Sequence, residues 1–171
     1  MMYRTKTYIA ADWTGDHDAV EQLHKWNDNR NLILSFTDAH DLTQSNDYSL
    51  NCSIKASLKK RMDVSKTFVL IVGKNTAKLR SGSCSLCNSY NSWTEACARG
   101  YWVDKRSYID YECAKAIEAG IKLVVLYNAC SIDKEKCPLA IRNIGTHVAM
   151  CYKKDGIEYW NYSAVRDALE N

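Results

Sequence analysis

The 171-residue chain lacks any apolar run near the roughly 20 residues that a membrane-spanning helix requires, which excludes such a helix. It also lacks a strong charge of either sign. Twenty-three Lys and Arg stand against 20 Asp and Glu, and the net +3 is too small and too evenly spread for a nucleic-acid partner. There is a single proline, Pro138, and neither an internal repeat nor a low-complexity linker, so residues 1–171 read as one domain. The amino terminus, MMYRTKTYIAADW, is only briefly apolar and carries no small-residue cleavage pattern. No signal peptide is read there, and a cytoplasmic location is expected. Gly73-Lys74-Asn75-Thr76 lacks the glycine-rich half of a P-loop, so it is not a phosphate cradle. What remains is an ordinary soluble composition, 46% hydrophobic and 25% charged, long enough to bury a core without staples.

Cysteine, by contrast, is plentiful: eight in all. Cys52, Cys113 and Cys151 sit in apolar periodic segments and read as plain buried thiols. Cys84, Cys87 and Cys97 cluster in a Ser/Asn/Gly-rich stretch. Without an export signal, such a cluster points to metal or redox chemistry before a disulfide scaffold. Three thiolates are one short of a tetrahedral structural zinc site. Cys137, Cys130 and His40 are the candidates for a fourth ligand, and spacing does not choose among them. Reduced thiols and a disulfide are the other outcomes.

The order of elements is read from periodicity. Strands are expected at 7–11, 32–36, 67–72, 123–126 and 146–151. Of these, TFVLIV (67–72) and KLVVLY (122–127) are the continuous apolar runs typical of central parallel strands. Helices are expected over 16–29, with Asp16 or Thr14 as cap, over 50–62 with Lys55, Lys59, Lys60 and Arg61 facing water, over 106–120, and over 162–169. This alternation implies a three-layer α/β fold of the flavodoxin-like type: a five-stranded parallel sheet, order 2-1-3-4-5, with helices on both faces. An insert, about 77–104, interrupts the pattern where connections usually run two to six residues. Its aromatics Tyr90, Trp93, Tyr101 and Trp102 argue that it is ordered.

In such a fold, ligands bind beyond the carboxyl ends of the strands. The helix RSYIDYECAKAIEAG, 106–120, begins at that edge. At about 100° per residue, Ile109, Cys113, Ala116 and Ile117 form its core stripe. Glu112 falls about 40° outside Ala116, half desolvated and one turn into the helix, whereas Glu118 points away. Such a carboxylate is placed to act on a bound ligand; the alternative is an acidic residue that favours the macrodipole.

The segments YIAADWTGDHDAVEQL, SFTDAHDLTQSNDYSLNCSIKASLKKRMDVSKTFVLIVGKNT and RSYIDYECAKAIEAGIKLVVLYN together resemble the bacterial TIR-like family, which includes the TIR-like subunit of the Thoeris anti-phage defence system. The specific part is Arg-x-(Trp/Tyr)-Ile/Val-x-Tyr-Glu, here Arg106, Tyr108, Ile109, Tyr111 and Glu112. The resemblance implies a TIR fold, cleavage of NAD at the nicotinamide–ribose bond, and an ADP-ribose-derived, cyclic or conjugated signal that activates an effector on another chain. It also implies that Glu112 is the catalytic glutamate. Two departures from receptor-type TIR domains bear on the substrate pose: the cysteine-bearing insert, and Asp12-Trp13 where those domains carry serine-tyrosine.

Supporting roles are open at several positions. Asp12 and Asp38 are candidates to bind ribose hydroxyls or to cap loops. Trp13 is a candidate to stack on a base or to pack on its own domain. Arg106 could meet a phosphate at a helix terminus or be a solvated cation. Tyr108 is the better pocket-wall candidate of the two helix tyrosines, Tyr111 a packing residue, and His40 a surface histidine. NAD is therefore the expected substrate, zinc the possible structural metal, and a homo-oligomer is compatible with the chain. Two other functions fit the same fold: a nucleoside deoxyribosyltransferase-like enzyme, and a non-catalytic TIR assembly module.

Overall fold

A computed structural model describes residues 3–39 and 50–171; His40 lies outside them. The elements in order are β1 (Lys6–Ala10), α1 (His17–Asp28), α2 (Asn51–Asp63), β2 (Ser65–Val72), β3 (Tyr90–Asn91), β4 (Ala96–Cys97), α3 (Tyr108–Glu118), β5 (Lys122–Tyr127), β6 (Thr146–Ala149), β7 (Cys151–Lys154), β8 (Ile157–Trp160) and α4 (Tyr162–Glu170). Strands β1, β2, β5 and β6 form a parallel sheet in the order β1-β2-β5-β6. Their alternating side chains build two cores. Tyr8, Phe68, Leu70 and Val125 pack under α2 and α3 with Leu58, Met62, Ile109 and Ala116. Ile9, Val69, Ile71 and Val124 pack on the opposite face with Leu23 and Trp26 of α1 and Val165 of α4. The three-layer α/β architecture expected from the alternation is present, consistent with a TIR or flavodoxin-like fold. Among the described residues no helix is long and apolar enough to cross a membrane.

The sheet departs from expectation at one edge. Residues 32–36 form no strand; a single parallel bridge just beyond them joins Thr7 to Asp38, with the Thr7 amide donating to Thr37 O at 2.8 Å. Side chains intercept the amides that a ladder would need. Ile33 and Leu34 both donate to the Tyr162 hydroxyl at 3.1 Å, and Phe36 donates to Asn27 Oδ1 at 2.7 Å. The described parallel sheet is therefore four-stranded, and residues 32–36 do not form the fifth strand that was expected. At the other end, β6 stops at Ala149. A hairpin, β7–β8, follows in its own two-stranded sheet, turning through Asp155 and Gly156, both with positive φ.

Two further corrections concern helix faces. Lys55 and Arg61, expected to face water, are both buried. Lys55 Nζ donates to Asp104 O (3.2 Å) and Arg106 O (2.8 Å) and pairs with the Asp104 carboxylate, so α2 holds down the chain entering α3. In α3, Ile117 is exposed rather than part of the core stripe. The buried set is Ile109, Glu112, Cys113 and Ala116, together with Tyr111. The buried arc is thus rotated toward Glu112, because α2 covers that side of the helix.

Candidate active site

Local sequence fixes where α3 begins. Ser107 caps it: its Oγ accepts the Asp110 amide at 3.1 Å and donates to Asp110 Oδ2 at 2.7 Å. Lys55 anchors the residues just upstream. Tyr111, in the first turn, lies beneath three cations, with Lys55, Arg106 and Lys115 at 5.6, 5.1 and 5.8 Å from its ring centre. With both ends of the first turn held, Glu112 is aimed inward along a fixed direction.

Glu112 is only 6% exposed, so it is buried rather than half desolvated. Its Oε1 accepts a 2.5 Å hydrogen bond from the Tyr8 hydroxyl, which projects from β1. Burial pushes the Glu112 carboxyl up to about 7, against the opposing pull of the Tyr8 hydrogen bond and the Arg61 charge. Burial and the neighbouring carboxylate likewise raise the Tyr8 phenol well above its ordinary value. A carboxyl near half-ionisation at neutral pH, held by one short hydrogen bond at a pocket wall, is the kind of perturbed acid that marks functional sites.

That pocket has a volume of about 300 Å³ and opens at the carboxyl end of β1. Ala11, Asp12 and Trp13 form one side, Ile54, Leu58 and Arg61 of α2 another, and Leu79, Ser81, Tyr108, Ile109 and Glu112 the rest. Asp12 lines the pocket, and its Oδ1 accepts the Thr14 amide at 3.2 Å, a loop-capping contact. Trp13 stands at the rim, 43% exposed. Tyr108 forms wall, as expected, with its hydroxyl donating to Asn51 Oδ1 at 3.1 Å. Its ring lies against Gly82, whose φ of +95° and lack of a Cβ admit the ring; a Cβ there would come within 2.5 Å of it.

Two expected residues are held elsewhere. Asp38 is buried and paired with His24 Nε2 at 3.2 Å, away from the pocket lining. Arg106 is engaged by Asp104 through two hydrogen bonds, at 3.0 and 2.8 Å, and does not line the pocket. That pairing, with Lys55, pulls the Asp104 carboxyl down to about 2 in spite of partial burial. The cation at the pocket is Arg61 instead. Neither Arg61 nor Tyr8 was legible as a site residue, since each occupies an ordinary position in an amphipathic element.

Asp16 caps α1 without a side-chain cap bond. Its carboxylate is buried above Gly73 at the carboxyl end of β2 and accepts a 3.0 Å hydrogen bond from Asn128 Nδ2. Cys84, Cys87 and Cys97 line a second, smaller cavity together with Cys52. Among the described residues no three His, Cys, Asp or Glu side chains stand at metal-ligating spacing.

Residues 8–81 match the family model for the TIR-like domain of Thoeris protein ThsB. The match, over less than half of the chain, marks a similarity to the bacterial TIR-like Thoeris family. It takes in Tyr8, Asp12, Trp13, Arg61 and the wall as far as Ser81, and stops before Tyr108 and Glu112. No curated protein matches the chain significantly.

Proposed function

We propose that the chain cleaves NAD at the nicotinamide–ribose bond in the Glu112 pocket and so produces an ADP-ribose-derived signal for defence. The observation that carries this reading is the buried Glu112 carboxyl, held by Tyr8 at 2.5 Å on the wall of a cavity about 300 Å³ in volume. That space is at the lower end for a small-molecule site and suits the nicotinamide riboside end of the dinucleotide. The diphosphate then extends toward Arg61 and the rim, where Trp13 offers a face to the adenine.

The chemistry asks little of the protein beyond electrostatics. As the C1′–N bond breaks, its electron pair passes to the cationic nicotinamide ring, which leaves neutral and needs no general acid. Positive charge builds on the ribose as an oxocarbenium ion, as in glycoside hydrolysis. The ionised Glu112 carboxylate stabilises that charge, and the apolar walls Ile54, Leu58, Leu79 and Ile109 strengthen the attraction by excluding water. Capture by water, with loss of a proton, gives ADP-ribose; capture by a nitrogen of the same molecule's adenine gives a cyclic product.

The test is NAD turnover by Glu112→Gln beside Glu118→Gln. Glu118 is exposed, on the far face of α3, and paired with Lys115 at 2.6 Å. Glu112→Gln should slow nicotinamide release on the order of a hundredfold or more, and Glu118→Gln should leave it unchanged. A folded Glu112→Gln protein as active as the parent sinks the mechanism. Deoxynucleosides in a parallel incubation separate NAD cleavage from base exchange between deoxyribosides.

A further inference from the structure

The connection between β2 and α3 poses a stability problem of its own. Its regular structure is two three-residue 3-10 turns and the β3–β4 hairpin, two residues to a strand. Large apolar side chains that would ordinarily anchor such a segment point to solvent: Trp93 is 96% exposed, Trp102 93% and Leu86 63%. A short ladder with so little burial is marginal in water, and small structural units of this kind are commonly held by a cross-link.

The place for a cross-link is visible. Cys52 lies in the first turn of α2, Cys84 and Cys87 bracket the turn Cys84–Leu86, and Cys97 ends β4. Four cysteines from three separate segments thus line one cavity of about 20 Å³, room for a single ion or water and no organic ligand. Among the described residues no histidine or carboxylate lines it; the remaining walls are Asn51, Ser89 and the aromatics Tyr90, Tyr101 and Trp102, closed by Leu50. A backbone amide already serves one of the sulfurs: Asp104 N–H donates to Cys84 Sγ at 3.3 Å. Amide-to-sulfur bonds of this kind orient thiolate ligands and spread their charge in metal sites.

We infer that Cys52, Cys84, Cys87 and Cys97 form a four-thiolate site for one structural zinc ion, with Cys52 as the ligand that closes the tetrahedron. An all-sulfur donor set selects zinc or another thiophilic metal over magnesium or calcium. The four cysteines line the cavity but do not stand at ligating spacing, so the inferred site requires them to converge on loading, with Cys97 carried by a largely exposed hairpin. The other sulfurs are elsewhere. Cys137 is buried in the core near Tyr127, and Cys130 and Cys151 adjoin one another beside Glu158. The site would tie α2 to the loop before α3. Asn51, next to Cys52, accepts from Tyr108 and donates to Ser83 O at 3.0 Å, so the ion would brace one wall of the Glu112 pocket. This inference is independent of the NAD reading.

The test is the metal content of full-length protein purified under reducing conditions without added metal, with Cys52→Ser and Cys130→Ser alongside. About one zinc per chain is expected in the parent and in Cys130→Ser, and under about a fifth of that in Cys52→Ser. Cobalt(II) in place of zinc should give thiolate charge-transfer absorption and the intense visible bands of a tetrahedral sulfur site. Should Cys52→Ser fail to fold, alkylation of the metal-loaded parent decides. Cys52, Cys84, Cys87 and Cys97 should resist iodoacetamide together and react together once a chelator is added. Zinc below about a tenth per chain with no cobalt–thiolate band overturns the inference. So does full zinc in Cys52→Ser, alkylation of Cys52 while zinc stays bound, or a disulfide between any two of the four.

Discussion

Replacing Glu112 by glutamine should stabilise the protein at neutral pH, although it removes the proposed catalytic group. Burial raises the carboxyl from its ordinary 4.5 to about 7, so the folded state binds this proton more tightly than the unfolded chain does. The group's favourable contribution is therefore fully present below about pH 4.5 and is lost as pH rises through 7. At about 1.4 kcal/mol per pKa unit, ionising Glu112 within the fold costs ~3 kcal/mol by pH 8. Glutamine keeps the shape and accepts from Tyr8 but has no charge to desolvate. The stability difference between variant and parent should accordingly shift in the variant's favour by ~3 kcal/mol between pH 4.5 and pH 8. In melting temperature that is on the order of 6–12 °C for a domain of this size.

The measurement is urea or thermal unfolding of both proteins at half-unit pH intervals. Other titrating groups are common to the two proteins and cancel in the difference, which isolates Glu112. Its value at low pH reports only the exchange of carboxylic acid for amide, whereas its change with pH reports the ionisation. A difference that stays flat from pH 4.5 to 8 would refute the raised pKa and, with it, the view of Glu112 as a strained buried acid. A stabilised yet inactive Glu112→Gln protein would show a site whose function opposes its stability.

Other outcomes follow from the same geometry. In the parent, kcat/KM for NAD should rise with pH to a plateau with a midpoint near 7, because the carboxylate is the active form. Tyr8→Phe removes a donor that favours the carboxylate, so that midpoint should move up, and activity lost at pH 7 should be partly regained above pH 8; an unmoved midpoint would separate Tyr8 from Glu112. Gly73→Ala places a Cβ into the buried Asp16 carboxylate and displaces it from Asn128. It should cost about 1–3 kcal/mol in a denaturant melt, and an unchanged melt would mean Asp16 is not seated there.

The sheet and its covering helices were legible because they depend on local pattern. The runs at 67–72 and 122–127 carry the continuous apolar, β-rich signature of central parallel strands. The segment at 32–36 looked equally strand-like, but its amides are taken by Tyr162 and Asn27, residues whose approach is set by tertiary structure. The β7–β8 hairpin was legible and missed: Asp155-Gly156 between alternating residues is a type I′ turn signal.

Site residues divide along the same line. Glu112 could be found because a helix converts sequence spacing into angle, and the error was one of degree: α2 covers the flank that spacing alone leaves open. Arg106 stayed open between two readings because spacing leaves a helix-terminal cation unassigned until its neighbour is considered; Asp104, two residues upstream, pairs with it. Tyr8, Arg61 and Cys52 share a different trait. Each is a typical residue of its element, and each gains its role from a group more than 30 residues distant in sequence. Tyr8 meets Glu112, Arg61 faces the same pocket, and Cys52 joins three sulfurs beyond β2. Sequence spacing reports the partners that an element brings to itself. Partners that the sheet brings together from separate crossovers are set by topology, and this chain places both its acid and its thiols at such junctions.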